Sequence, residues 1–248
     1  MPGKFVLLVA VVSILALISC AQPETETVPS AASEVEEDVV ALEENLDPTV
    51  VDPAHYTAEF ENDRVRILRI VYGPGEESVM HHHPESVAVF LTDAEAQMTL
   101  PDGSVEEMTV SAGDAFYAGA REHQPKNLSD APFELVEIEL KPGGSSADEV
   151  TGPDPTVVDP DHYTAEFEND RVRIVRIAYG PGEESVMHFH PDGVAVFLTD
   201  HLVQMTMPDG STEEISAAQG ETLFIPAGEH LPKNISDSPW ELILVELK

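Results

Sequence analysis

The sequence predicts an all-β chain built from two tandem domains, each a sandwich or barrel of short strands. Two observations carry this. Residues 48–141 align with 155–248 without a gap, and roughly two-thirds of the aligned positions are identical by direct count. Within each repeat, short runs rich in β-branched residues alternate with Gly, Pro and Asp turn signals, and no segment has convincing helical periodicity. The chain has 248 residues, so each repeat is small, and packing of one on the other is expected to matter.

The N-terminal segment reads as a targeting sequence. Lys4 supplies a positive start and Phe5 to Ile18 is almost wholly apolar. A run of roughly 14 residues spans about 21 Å as a helix, too short for a bilayer core, which suits a signal peptide over residues 1–20. The run ends in Leu17-Ile-Ser-Cys20, which resembles a bacterial lipobox. That resemblance implies lipidation at Cys20 and an exported, lipid-anchored protein on the periplasmic or surface face of a bacterial envelope. Cys20 is the only cysteine, so disulfides within the chain are excluded. Residues 21–47 are acidic, carry Pro and Ser and lack aromatics, and read as a disordered tether with a short helical stretch over 35–46.

Repeat one then offers strands at 64–72 and 87–92, a hairpin over 97–110 turning at Asp102-Gly103, and strands at 115–118, 122–127 and 133–140. Residues 142–154, rich in Gly, Ser, Pro and acids, read as a linker. The repeat-two strands follow in the same order. Lys and Arg total 12 against 47 Asp and Glu, a formal charge of -35. Such a surface repels phosphate backbones, so nucleic acid is excluded as a partner. The acidity suits plain solubility or a saline habitat, where counterions screen it.

The chemistry-bearing residues lie in two matched stretches, Tyr72-Gly-Pro-Gly-Glu-Glu-Ser-Val-Met-His-His-His83 and Tyr179-Gly-Pro-Gly-Glu-Glu-Ser-Val-Met-His-Phe-His190. A further histidine follows each at one common spacing, His123 and His230. On a strand, residues i and i+2 face one side, so His81 pairs with His83 and His188 with His190. A third imidazole from a neighbouring strand would complete a set of three neutral ligands for a transition metal. Such a set leaves the metal its double charge and open positions. Iron, manganese, nickel, copper and zinc all suit it, one ion per functional repeat.

Gly75-x5-His81-x-His83 and Gly182-x5-His188-x-His190 look like the first cupin motif. Gly220-x5-Pro226-Ala-Gly228-Glu-His230-x3-Asn234 looks like the second, one residue shorter than usual between Gly and His. The chain thus resembles a bicupin, which implies two tandem jelly-roll (double-stranded β-helix) barrels. The resemblance covers both repeats. It departs at the acid of the first motif, where Val87 and Ala88, and Val194 and Ala195, replace the usual Glu. Glu85 and Asp192 sit two residues after the second His, so the acid is displaced. Repeat one also has Gly119-Ala-Arg121 where repeat two has Pro226-Ala-Gly228, which ranks repeat two as the better site.

Candidate substrate-binding residues are Gln97 and Gln204 at matching strand positions, Arg69 and Arg176 if inward-facing, and Asp192 and Glu85. Arg121, unique to repeat one, would recruit an anion beside a metal or sit on the rim. His55 and His162 read as structural. Three functions fit: a metal-dependent enzyme on a small polar or anionic metabolite, with dioxygenase-type oxidoreduction favoured by likeness to three-His thiol dioxygenases; a non-enzymatic ligand- or metal-binding surface lipoprotein; and an interaction module with vestigial sites. The implied partners are a small-molecule ligand and a membrane reached by the lipid anchor alone. Monomer and homo-oligomer both stay open.

Overall fold

The computed structural model describes residues 46–142 and 152–248. The signal peptide, Cys20 and nearly all of the tether lie outside the described residues, as does most of the linker. Each repeat contains nine strands. In repeat one these are β1 (Tyr56–Glu61), β2 (Val65–Tyr72), β3 (His81–His83), β4 (Ser86–Phe90), β5 (Ala94–Thr99), β6 (Val105–Val110), β7 (Ala115–Ala118), β8 (Arg121–Asn127) and β9 (Phe133–Leu140). Repeat two repeats the order as β10 (Tyr163–Glu168), β11 (Val172–Tyr179), β12 (His188–His190), β13 (Gly193–Phe197), β14 (His201–Thr206), β15 (Thr212–Ala217), β16 (Thr222–Ile225), β17 (Gly228–Asn234) and β18 (Trp240–Leu247). One-turn helices precede them, α1 (Pro48–Val51) and α2 (Pro155–Val158).

All pairings in each repeat are antiparallel. A five-stranded sheet runs β1-β2-β9-β4-β7 and a four-stranded sheet runs β3-β8-β5-β6, with the same order in repeat two. The two sheets close on each other as a barrel. The hairpin expected at Asp102-Gly103 is present: Gly103 has φ 82°, a left-handed conformation that suits glycine. The Asp102 carboxylate accepts from Ser104 N at 2.9 Å.

Side-chain parity explains how the barrels are filled and joined. Along β2, Leu68, Ile70 and Tyr72 enter the barrel-one core, whereas Val65 and Ile67 face the other way. Along β9, Phe133 and Leu135 point inward and Val136, Ile138 and Leu140 outward. The outward residues meet Val172, Ile174, Ile243, Val245 and Leu247 of repeat two in one buried cluster. The central strands of the five-stranded sheets are therefore buried on both faces, and β9 and β18 carry apolar residues at both parities.

The two barrels belong to one compact unit, and reciprocal contacts edge the shared core. Phe60 stacks on Phe224 with ring centroids 5.6 Å apart, and Phe167 stacks on Tyr117 at 5.5 Å. Arg64 Nη1 donates to Asp192 Oδ2 at 2.8 Å, and Arg171 pairs with Glu85 at 3.4 Å. Each contact recurs with the repeats exchanged, the pattern of a two-fold self-complementary interface.

Two differences from the sequence reading have physical causes. Strand β1 was not expected, because it is an edge strand exposed at every residue but Tyr56 and so lacks apolar alternation. The boundaries of tether and linker also move. Asp47 and Asp154, assigned to those segments, cap α1 and α2 by accepting from Thr49 N and Thr156 N at 2.9 Å. Among the described residues no helix is long and apolar enough to cross a membrane.

Candidate metal centres in the two barrels

Strand β3 pairs with β8 so that His81 lies opposite His123, and β12 pairs with β17 so that His188 lies opposite His230. The i, i+2 spacing turns His83 and His190 to the same side. In each barrel the three histidines offer one ring nitrogen apiece, and these atoms lie within 4.8 Å of one another. His81, His83 and His188 are fully buried.

Hydrogen bonds fix which nitrogen faces the centre. His81 Nδ1–H donates to Val79 O at 2.8 Å, and His188 Nδ1–H to Val186 O at 2.7 Å. A carbonyl only accepts, so Nδ1 carries the proton and Nε2 keeps a lone pair. His83 Nδ1–H donates to Glu139 Oε1 at 2.8 Å, and His190 Nδ1–H to Glu246 Oε1 at 2.6 Å. Burial, then His83, lowers the His81 pKa to about 4. Burial, then His190, lowers that of His188 to about 4. Burial followed by His190 and His188 brings His230 to about 3, and burial holds His123 well below the usual value. These imidazoles are neutral at pH 7 and can ligate.

The residues fit a bound divalent metal. Among the described residues, the Nε2 atoms of His83, His123 and His188 are buried and have no hydrogen-bond partner. A bare, desolvated lone pair is costly unless something occupies it. Behind the ring of His83 a polar relay continues outward. Arg66 Nε donates to Glu139 Oε2 at 2.5 Å, and Arg66 Nη1 to Asp47 Oδ2 at 2.5 Å. Barrel two copies it through Arg173, which bonds Glu246 at 2.5 Å and Asp154 at 2.6 Å. Carboxylates that orient a ligating imidazole fix its tautomer and raise its basicity. The Tyr56 hydroxyl adds a bond of 3.0 Å to His81 Nε2 and lies 2.7 Å from the Tyr72 hydroxyl.

The barrels differ in what surrounds the triad. Barrel one encloses a cavity of about 170 Å³, barrel two one of about 60 Å³. Trp240 and His201 line the smaller cavity, where barrel one has Phe133 and Ala94. In barrel one Glu137 Oε1 accepts from Ser86 Oγ at 2.6 Å and from Arg121 Nη2. Burial would raise the Glu137 pKa, but His83, Arg121 and Ser86 together hold it well below the ordinary carboxylate range. The repeat-two positions are Gly193, Gly228 and Leu244. The loss of Pro-Ala-Gly from repeat one leaves its triad as close-set as that of repeat two. The roomier and more polar cavity belongs to repeat one, which bears on space for a ligand and leaves the ranking of repeat two as the better metal site untested.

The substrate-binding candidates fall elsewhere. Gln97 and Gln204 alternate with inward-facing Ala96 and Met98, and with Val203 and Met205, and line neither cavity. Arg69 shares the outward face of β2 with Ile67. It pairs with Glu59 at 2.8 Å and Glu134 at 3.0 Å, and donates to Gly220 O of the other barrel at 2.7 Å. Arg176 mirrors it, pairing with Glu166 and Glu241 and donating to Gly113 O at 2.7 Å. Glu85 accepts from Tyr117 Oη at 2.9 Å and faces Arg171. Asp192 accepts from Ala227 N at 2.7 Å and from Arg64. Arg69, Arg176, Glu85 and Asp192 join the barrels, and none of the six residues lines a cavity.

Sequence reasoning missed Glu137, Glu139, Glu246, Tyr56 and Tyr163. A signal existed for the first three. A glutamate in an apolar strand buried on both faces must have a partner. His55 and His162, read as structural, do support the site. His55 stacks on Tyr72 at 4.3 Å and bonds Asp52 at 2.7 Å, and Asp52 also takes the Ser78 hydroxyl beside His81.

The fold and site define a two-barrel all-β protein with one histidine-lined cavity per barrel. Comparison with known proteins agrees. Residues 68–147 match the family described as a cupin domain. A cupin domain from Bordetella pertussis is 30% identical, over 35% of this chain and 91% of that one, with a TM-score of 0.33. An oxalate decarboxylase formate complex from Lactobacillus farciminis is 15% identical, over 78% of this chain and 80% of that one, at a TM-score of 0.55. AerE from Microcystis aeruginosa is 15% identical, over 78% and 97%, also at 0.55. No curated protein sequence matches the chain. The chain belongs to the cupin family, as two tandem cupin barrels.

Proposed function

We propose that the protein is a divalent-metal-binding bicupin that acts on a small polar or anionic metabolite through a three-His site, in a reaction of the dioxygenase type. One observation carries the reading. In each barrel three imidazoles converge, and the Nε2 atoms of His83, His123 and His188 are buried without partners among the described residues. His81, His83 and His123 would hold one ion, and His188, His190 and His230 a second. A divalent transition metal so held supplies open coordination positions, Lewis acidity and, for redox-active ions, chemistry with dioxygen.

The chain's own residues do the rest. Glu139 and Glu246 keep the protons of His83 and His190 on Nδ1. Tyr56 places a hydroxyl beside His81. The apolar walls, with Phe90, Met98 and Leu135 in barrel one, exclude water and strengthen each polar contact inside. Barrel one is the chemical site on grounds of room and polarity.

Elemental analysis of protein purified without chelator or nickel affinity tests the first half of the reading. Oxygen uptake by the loaded protein with a panel of small acids and thiols tests the second. Metal bound with no turnover would favour a second reading, a binding protein, which the carboxylate-free cavity of barrel two supports. Export and anchoring through Cys20 belong to the same proposal. Cys20→Ala is expected to move the protein from the membrane to the soluble fraction; unchanged membrane association would contradict the anchor.

A further inference from the structure

The two barrels share their histidines but not their walls, and the wall differences are concentrated and coupled. Ser86, Arg121 and Glu137 touch one another in barrel one. Repeat two has Gly193, Gly228 and Leu244 at these positions. At Gly193 a Cβ would lie 3.0 Å from Leu244 Cδ1 and from Val245 O, so the leucine crowds any larger residue opposite it. The three positions have changed together, and a set of three polar residues has become a set of none.

Both donors of barrel one converge on a single oxygen, Glu137 Oε1. Among the described residues nothing donates to Oε2. Arg121 spends its other hydrogen bonds on Ser86 at 2.9 Å and Gly119 O at 3.4 Å, so the pair fixes the orientation of the carboxylate through one oxygen. Glu106, on the Met108 face of β6, also lines this cavity, which with Glu137 makes two carboxylates against one guanidinium. No carboxylate lines the cavity of barrel two. An excess of anionic wall favours a ligand that brings a positive donor. The size is also bounded, since a cavity of about 150 Å³ holds a benzene-sized molecule, and this one is about 170 Å³.

We infer that barrel one selects a small amine-bearing metabolite, whose ammonium group is received by the free oxygen of Glu137 while its other end faces the histidine triad, and that barrel two makes no such selection. The inference rests on the three-His reading and narrows its substrate class.

The test uses three probes of equal heavy-atom count: 4-aminobutyrate, 4-hydroxybutyrate and pentanoate. Binding to metal-loaded protein is followed by calorimetry. Wild type is expected to bind 4-aminobutyrate at least about tenfold more tightly than pentanoate, with 4-hydroxybutyrate between them, on the scale of one charge-assisted hydrogen bond. A variant carrying Ser86→Gly, Arg121→Gly and Glu137→Leu, the residues of the other barrel, is expected to keep its metal and lose the preference. Glu137→Gln, which preserves shape, is expected to lose most of it and covers the case of a triple variant that fails to fold. Equal binding of the amine and its carbon isostere by wild type, persistence of the preference in either variant, or no binding of any probe to the loaded protein would each overturn the inference. Metal content, measured in parallel, separates this from failure of the three-His reading, which would appear as protein that takes up no metal at all.

Discussion

Glu139 and Glu246 show how a single side chain governs each candidate centre. Each accepts the Nδ1 proton of a histidine and is itself held by an arginine, so it fixes the ring that must present Nε2. Glu139→Gln is expected to lower metal affinity in barrel one by about 10–100-fold and leave barrel two unchanged; competition against a chromophoric chelator measures both. An equal loss in the two barrels would contradict the assignment. His201 gives a second residue-scale prediction. It is buried against Trp240 and Phe197, with ring centroids 4.2 and 4.9 Å away, and its Nδ1 has no partner among the described residues. Burial lowers its pKa to about 4, below the unfolded value, so the unfolded chain binds the extra proton in between. Its contribution is full above about pH 6.5 and is lost as pH falls toward 4, up to about 3 kcal/mol. His201→Phe is expected to flatten the acid limb of the stability curve, read by denaturant titrations at pH 7 and pH 4.5. An unchanged slope would mean that His201 does not titrate in this window.

Strands decide which of the legible residues reach the cavities. The repeats, the pairing of His81 with His83 and of His188 with His190, and the hairpin at Asp102-Gly103 could be read from spacing alone, because period-two geometry and turn chemistry are local. Arg69, Arg176, Gln97 and Gln204 could not be placed that way. A shift of one residue reverses the face of every side chain, and β2 is apolar on both faces, so its pattern does not say which face is interior. The same ambiguity hid Glu137 and Glu139, whose face is set by pairing of β9 with β2 and β4. At this scale Arg66→Ala is expected to destabilise the protein by about 3–5 kcal/mol, because it strips a buried carboxylate of its cation. Chemical denaturation measures the loss, and a change below about 1 kcal/mol would show the relay to be incidental.

The whole molecule is two barrels with one core between them. Val136 and Ile138 of one repeat and Ile243 and Val245 of the other are fully buried in the same cluster, so neither barrel is complete without its neighbour. Ile243→Ala is expected to cost about 2–5 kcal/mol and to lower a single unfolding transition reported alike by a probe in each barrel. Two separated transitions would contradict the shared core. Duplication explains why the triads match, and divergence of the walls explains why only barrel one keeps a roomy polar cavity. The central claim is that the imidazoles of each barrel grip a cation. Anomalous X-ray diffraction from crystals of protein loaded with a divalent transition metal tests it most directly. The account predicts one peak in each barrel at about 2.0–2.2 Å from three histidine nitrogens, lost from barrel one alone in His83→Ala. Peaks absent from both triads, or found only at surface carboxylates, would contradict it.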